Sequence, residues 1–152
     1  MAVLTTDELA DREAIRQLVA RYADAVNRRA ADELAALFVP DGEWLVPGFG
    51  TTTGHEQISE LLRTLLGNFE VLVQTVHQGV IEVDGDDAFG RWYLSEVGID
   101  TAGSPVHFVG VYQDRLTRGD DGWAFVRRKF DFLFRQAGEH TLRGYAFPPR
   151  EE

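Results

Sequence analysis

The sequence predicts an α+β fold, with helices first and a mainly antiparallel sheet after them. Two observations carry this. Up to Leu66 apolar residues recur with the spacing of amphipathic helices, and beyond Gly67 the period switches to two. The period-two segments are separated by turn sequences, Asp84-Gly85-Asp86-Asp87 and Gly119-Asp120-Asp121-Gly122, that return each strand beside the one before it. Helices followed by a meander give a sheet whose one face is covered by the helices.

Each element follows from local chemistry. Thr5 or Thr6 caps a first helix whose opening turn carries Asp7 and Glu8, favourable at the positive end of the helix dipole. Ile15, Leu18, Val19, Tyr22 and Val26 form its buried stripe. A short second helix is expected over Ala31 to Phe38, stopped by Pro40-Asp41-Gly42, then a strand over Glu43 to Val46 and a Gly- and Thr-rich loop from Pro47 to Gly54. A third helix is expected over His55 to Leu66, with Ile58, Leu61, Leu62 and Leu65 inward. Four strands are then expected over Val71–Val83, Ala88–Ile99, Pro105–Thr117 and Trp123–Phe134, and Pro148 to Glu152 read as a frayed end.

At 152 residues the chain is expected to be one domain, and no repeat or linker interrupts it. Its 15 basic against 25 acidic residues leave a net charge of −10, which argues against nucleic acid and anionic membranes as partners. With 0 Cys, thiol catalysis and zinc–thiolate sites are excluded. Neither a secretory leader nor an apolar run of membrane-spanning length is present, so a cytoplasmic protein is expected. Chemistry is left to carboxylates, imidazoles and phenols.

Strict alternation along the first long strand puts Val71, Val73, Thr75, His77, Gly79, Ile81 and Val83 on the core-facing side. Centring the following turn on Gly85-Asp86 sets His77 opposite Leu94 and makes Glu96 its diagonal neighbour, within reach of long side chains. A carboxylate beside an imidazole is a general-base arrangement, and equally the geometry of a structural ion pair. Tyr22 sits mid-stripe on the first helix, either a core aromatic or a buried hydroxyl donor, with Asn27 on its flank. Arg128 alternates with Phe130, Phe132 and Phe134, which suits either an anionic ligand or an inward ion pair. His107, beside Val109 and Val111, is a candidate for burial; His55 reads as a helix-start residue and His140 as part of an irregular tail. A metal set of His77, His107 and Glu96 lacks any close-spaced ligand motif, so no metal is expected.

The order of short motifs resembles a known family. Leu37-Phe38 precede Asp41-Gly42 and Trp44; His77 stands on the first long strand; Val83-Asp84-Gly85-Asp86, Gly90-Arg91-Trp92-Tyr93-Leu94, Val111-Tyr112-Gln113-Asp114-Arg115-Leu116 and Asp121-Gly122-Trp123 follow. Over residues 8–136, leaving a tail of 137–152, this is similar to the SnoaL-like branch of the nuclear-transport-factor-2-like superfamily. The resemblance implies an α+β cone, a strongly curved sheet around an apolar pocket closed by helices. It implies an enzyme without a cofactor, a homo-oligomer (dimer or trimer), and relatives among polyketide cyclases, scytalone and bile-acid dehydratases and a hexachlorocyclohexane dehydrochlorinase.

Position by position, the resemblance sets His77 at the catalytic histidine of the dehydratase and dehydrochlorinase members and Tyr22 at the catalytic tyrosine of the bile-acid dehydratase. Glu96 falls where that enzyme has an aspartate, and Arg128 where the dehydrochlorinase has its active-site arginine. Asn27 stands in place of the family carboxylate that pairs with the histidine, and Glu96 is positioned to supply that charge from the other side. The expected activity is a dehydratase-like lyase acting on a cyclic, largely apolar, steroid- or polyketide-like molecule. In it His77 is the base and Trp92, Phe130, Phe132, His107 and Arg128 bind the substrate. A polyketide cyclase or isomerase using the same residues, or a non-catalytic binding or oligomerisation module, are the alternatives.

Overall fold

The computed structural model describes residues 3–137 and 141–151; Met1, Ala2, His140 and Glu152 lie outside them. Helix α1 (Thr6–Asn27) opens on a capping box, in which the Thr5 hydroxyl accepts from the Glu8 amide while the Glu8 carboxylate accepts from the Thr5 amide. Its stripe of Ile15, Leu18, Val19, Tyr22 and Val26 is buried throughout. Helix α3 (His55–Leu66) buries Ile58, Leu61 and Leu62 and is tied to α2 (Ala31–Ala35) through Asp32, which accepts from Ser59 Oγ and Arg63 Nη2.

The strands are β1 (Phe38–Val46), β2 (Gly50–Thr53), β3 (Phe69–Asp84), β4 (Asp87–Asp100), β5 (Pro105–Gly119), β6 (Gly122–Ala137) and β7 (Thr141–Gly144). They form an open mixed sheet in the order β2-β1-β6-β5-β4-β3, with β7 added beside β6. All pairs are antiparallel except β1 with β6. The helices lie on one face, and the core is the space between them and the sheet.

Three expectations from the sequence need correction. The second helix stops at Ala35, because Phe38 is taken into β1 opposite Phe125, with the two rings packed at 5.2 Å. The Gly/Thr loop contains a strand, β2, that pairs with β1 from Glu43↔Thr53 to Val46↔Gly50. Pro149, Arg150 and Glu151 are docked and not frayed. Gln113 donates to the Pro149 carbonyl at 2.8 Å and accepts from the Glu151 amide at 3.1 Å, and Arg150 pairs with Glu82. This tail explains why Gln113, on the sheet's outer face, is buried.

Two irregularities decide which side chains enter the core. β3 carries a bulge between Val76 and Gly79, where His77 and Gln78 together oppose Tyr93. β6 skips Leu133 between its pairings of Phe132 with Gly110 and Phe134 with Val109. Gly110 faces Phe130 so closely that an added Cβ would lie 2.1 Å from its ring. Gly110→Ala therefore overpacks this wall. The expected cost is about 1–3 kcal/mol, read as a lower urea midpoint at unchanged m-value.

Candidate active site

Between α1, α3 and the inner face of the sheet lies a pocket of about 290 Å³. Trp44, Leu62, Leu72, Phe108, Phe130 and Phe132 make it largely apolar, and Tyr22, Tyr112, Gln74, Glu96, Asn68 and Arg135 supply its polar groups. Among the described residues, Glu96 is its carboxylate and Arg135 its cation.

Glu96 projects inward from β4, as alternation predicts, but its neighbour is not the one expected. Above the β3 bulge the register follows the simple hairpin, Gly79↔Trp92; below it the register moves by one, giving Val76↔Leu94 and Gln74↔Glu96. A one-residue shift exchanges the faces of a strand. Gln74 therefore points inward and is buried, while His77 is exposed on the outer face with Nε2 2.8 Å from Ser95 Oγ. The expectation that His77 shares a face with Glu96 is not met. Nor can His77, His107 and Glu96 converge on a metal, since His107 also faces outward, half-buried with its ring edge-on to Phe134 at 5.7 Å.

Gln74 organises the polar end of the pocket. Its Nε2 donates to Glu96 Oε1 at 2.8 Å and to the Tyr112 hydroxyl at 3.3 Å. Tyr112 donates in turn to the Tyr22 hydroxyl at 3.4 Å, so the run ends on Tyr22, which lines the pocket. Burial raises the Glu96 carboxyl above the usual glutamate value, with the Gln74 hydrogen bond opposing the shift. Burial likewise pushes Tyr112 up to about 12 and holds Tyr22 well above the usual tyrosine value, so both phenols stay protonated at neutral pH.

Asn27 does not line the pocket. It clamps the β3 backbone at Gln74, its Nδ2 donating to the Gln74 carbonyl at 2.9 Å and its Oδ1 accepting from the Gln74 amide at 2.7 Å. Asn27→Leu leaves both backbone groups unpaired, at an expected cost of about 1–3 kcal/mol. Loss of hydrogen-exchange protection at the Gln74 amide is the local reading of the same effect. Arg128 also lies outside the pocket. It is wholly buried in a two-bond pair with Asp114, Nε–Oδ1 2.9 Å and Nη2–Oδ2 3.2 Å. Its guanidinium stacks over Tyr112 and Tyr22, 3.8 and 4.1 Å from the ring centres, behind the surface a ligand meets. Trp92 is core, packed under Gly79 and Gly90, whereas Phe130 and Phe132 do line the pocket.

Sequence reasoning missed Gln74, Tyr112 and Arg135. Even and odd residues of β5 are similarly apolar, so alternation there gives no signal for Tyr112. Gln74 and Arg135 each lie beyond a bulge that inverts the face their position predicts.

Helices on an open, bulged sheet, with an apolar pocket holding one carboxylate among phenols, define the nuclear-transport-factor-2-like α+β cone. The chain belongs to the SnoaL-like domain family, whose model matches residues 7–129. It is 32% identical over 130 residues to an uncharacterised protein of Mycobacterium tuberculosis, covering 84% of this chain and 88% of that one. It is 29% identical over 127 residues to the γ-hexachlorocyclohexane dehydrochlorinase of Sphingobium indicum, covering 80% of each. The solved structure of LinA superposes with a TM-score of 0.82 at 26% identity, covering 93% of this chain and 97% of that one. No helix among the described residues is long and apolar enough to cross a membrane.

Proposed function

We propose that this chain is a cofactor-independent lyase that removes a proton from a small, cyclic, largely apolar molecule, with Glu96 as the base. The observation that carries this reading is the placement of Glu96 in an apolar pocket beside protonated phenols, with His77 on the opposite face of the sheet. Gln74 holds Oε1, so Oε2 is the oxygen that takes the proton. As the C–H bond breaks, Tyr22 donates its hydroxyl hydrogen bond to the carbonyl or leaving hydroxyl that gains charge, and Gln74 and Tyr112 hold that hydroxyl in place. The leaving hydroxyl departs as water with the proton that Glu96 took up, which completes an elimination and restores the carboxylate. Retention of that hydroxyl, with attack of the carbanion on a second carbonyl, gives the cyclase reaction on the same residues.

The pocket lies at the small end of ligand sites, which run from roughly 300 to 1,000 Å³. A body of one or two rings fits it better than a four-ring sterol. The apolar outer-face residues Val71, Val73, Val97 and Ile99, each 41–49% exposed, support the homo-oligomer reading, which light scattering tests.

The test of activity is solvent exchange. Cyclic ketones and β-hydroxyketones of one or two rings are incubated with the protein in deuterated buffer and followed by NMR for α-deuteration and for the unsaturated product. His77→Gln is expected to keep the rate within about threefold. A much larger loss there would move the base to His77. Binding without exchange across the panel would make the chain a binding module instead.

A further inference from the structure

Four strands set four inner-face residues in one cross-strand row. Gln74 pairs with Glu96, Glu96 with Phe108, and Phe108 with Arg135. Glu96 and Arg135 are thus two strands apart, roughly 10 Å between backbones. They do not pair with each other, because Phe108 stands between them. The Arg135 guanidinium lies instead over the rings of Phe108 and Phe132, at 5.6 and 5.3 Å from their centres.

Arg135 reaches the pocket only because β6 skips Leu133, which turns Phe134 outward and Arg135 inward. It takes part in no ion pair among the described residues. A guanidinium set over two phenyl rings at the edge of an apolar pocket, with no carboxylate paired to it among the described residues, is a ready partner for one planar anion. Among the described residues no second cation lines the pocket, which favours a singly charged carboxylate over a phosphate.

We infer that the substrate is a ring-bearing carboxylate: Arg135 binds its carboxylate at the edge of the pocket, Phe108 and Phe132 carry the ring, and the reacting C–H lies one ring's length further in, at Glu96. This deepens the proposed lyase reading and rests on it for the position of the reacting carbon. The guanidinium remains partly hydrated, so the anion need not be stripped of all its water, while the ring fills the apolar volume.

The test measures binding without turnover, so its outcome is separate from that of the base. Isothermal titration compares 2-naphthoate with its uncharged methyl ester, on the wild-type protein and on Arg135→Gln, Arg135→Lys and Glu96→Gln. The wild type is expected to bind the carboxylate at least about tenfold more tightly than the ester. Arg135→Gln should abolish that preference and leave the ester unchanged, Arg135→Lys should retain part of it, and Glu96→Gln should retain all of it. The inference is overturned if acid and ester bind alike, if Arg135→Gln weakens both in the same ratio, or if neither probe binds. None of those results bears on whether Glu96 is the base, which the exchange experiment decides.

Discussion

Glu96→Gln is expected to lower the rate of proton exchange and elimination by roughly 10²–10⁴-fold, the contribution of a positioned general base. The substitution keeps the shape of the side chain. Its amide oxygen can still accept from Gln74, as Oε1 does at 2.8 Å, so the fold and the phenol chain should persist. Removing a raised, buried carboxyl also removes a desolvation cost, so stability should be equal or higher. The pH profile gives an independent reading. A base works only when ionised, and burial holds this carboxyl above the ordinary value of 4.5. The wild-type rate should therefore rise with pH through a limb lying above pH 4.5 and then level off. A limb at or below that value, or a Glu96→Gln variant within threefold of wild type, would remove Glu96 from the mechanism.

Arg128→Met is expected to be the most destabilising single change, at about 3–5 kcal/mol, because it leaves Asp114 as an uncompensated charge in a fully buried site. For a chain of this size that is a fall in Tm of roughly 6–20 °C. The double variant Arg128→Met with Asp114→Leu should recover most of the loss, since an apolar pair of similar volume avoids burying either charge. The pH dependence has a definite sign. Burial raises the Asp114 carboxyl from 3.8 to about 6, with Arg128 pulling it back. An acid raised on folding binds its proton more tightly in the folded state, so its contribution is present below pH 3.8 and is lost as pH rises toward 6. Without Arg128 the carboxyl rises further. The penalty of the variant should therefore grow across that range and beyond it. Urea midpoints at pH 4 and pH 7 that give the same penalty would show that Asp114 is not the group left stranded.

The α+β class, α1 and its stripe, the four long strands and the inward face of β4 were legible because each rests on a sustained period or an explicit turn sequence. The inward placement of Glu96 was legible that way. His77 was misplaced because alternation is reset by a bulge, and a bulge has no side-chain signature that a period-two reading detects. The same event on β6 hid Arg135. Arg128 was assigned to the inner face, but its depth behind Tyr22 and Tyr112 depends on Asp114, a partner 14 residues away that only the paired strands bring beside it. β2 and the docked tail were illegible for another reason. Their hydrogen bonds are made to distant residues, Glu43 and Gln113 among them, and not to a pattern of their own.

The clamp of Asn27 on Gln74 acts on main-chain atoms, so it reads position along β3 and not the identity of the side chain. Sliding the segment from Phe69 to Val76 by one residue would present a different peptide to that clamp. It would also exchange the whole set of side chains facing inward. The pocket's acid–amide character is thus stored as a strand alignment that a single helix residue indexes. A change at Asn27 or in the length of the bulge could replace the chemistry of this site without altering any residue that touches the ligand.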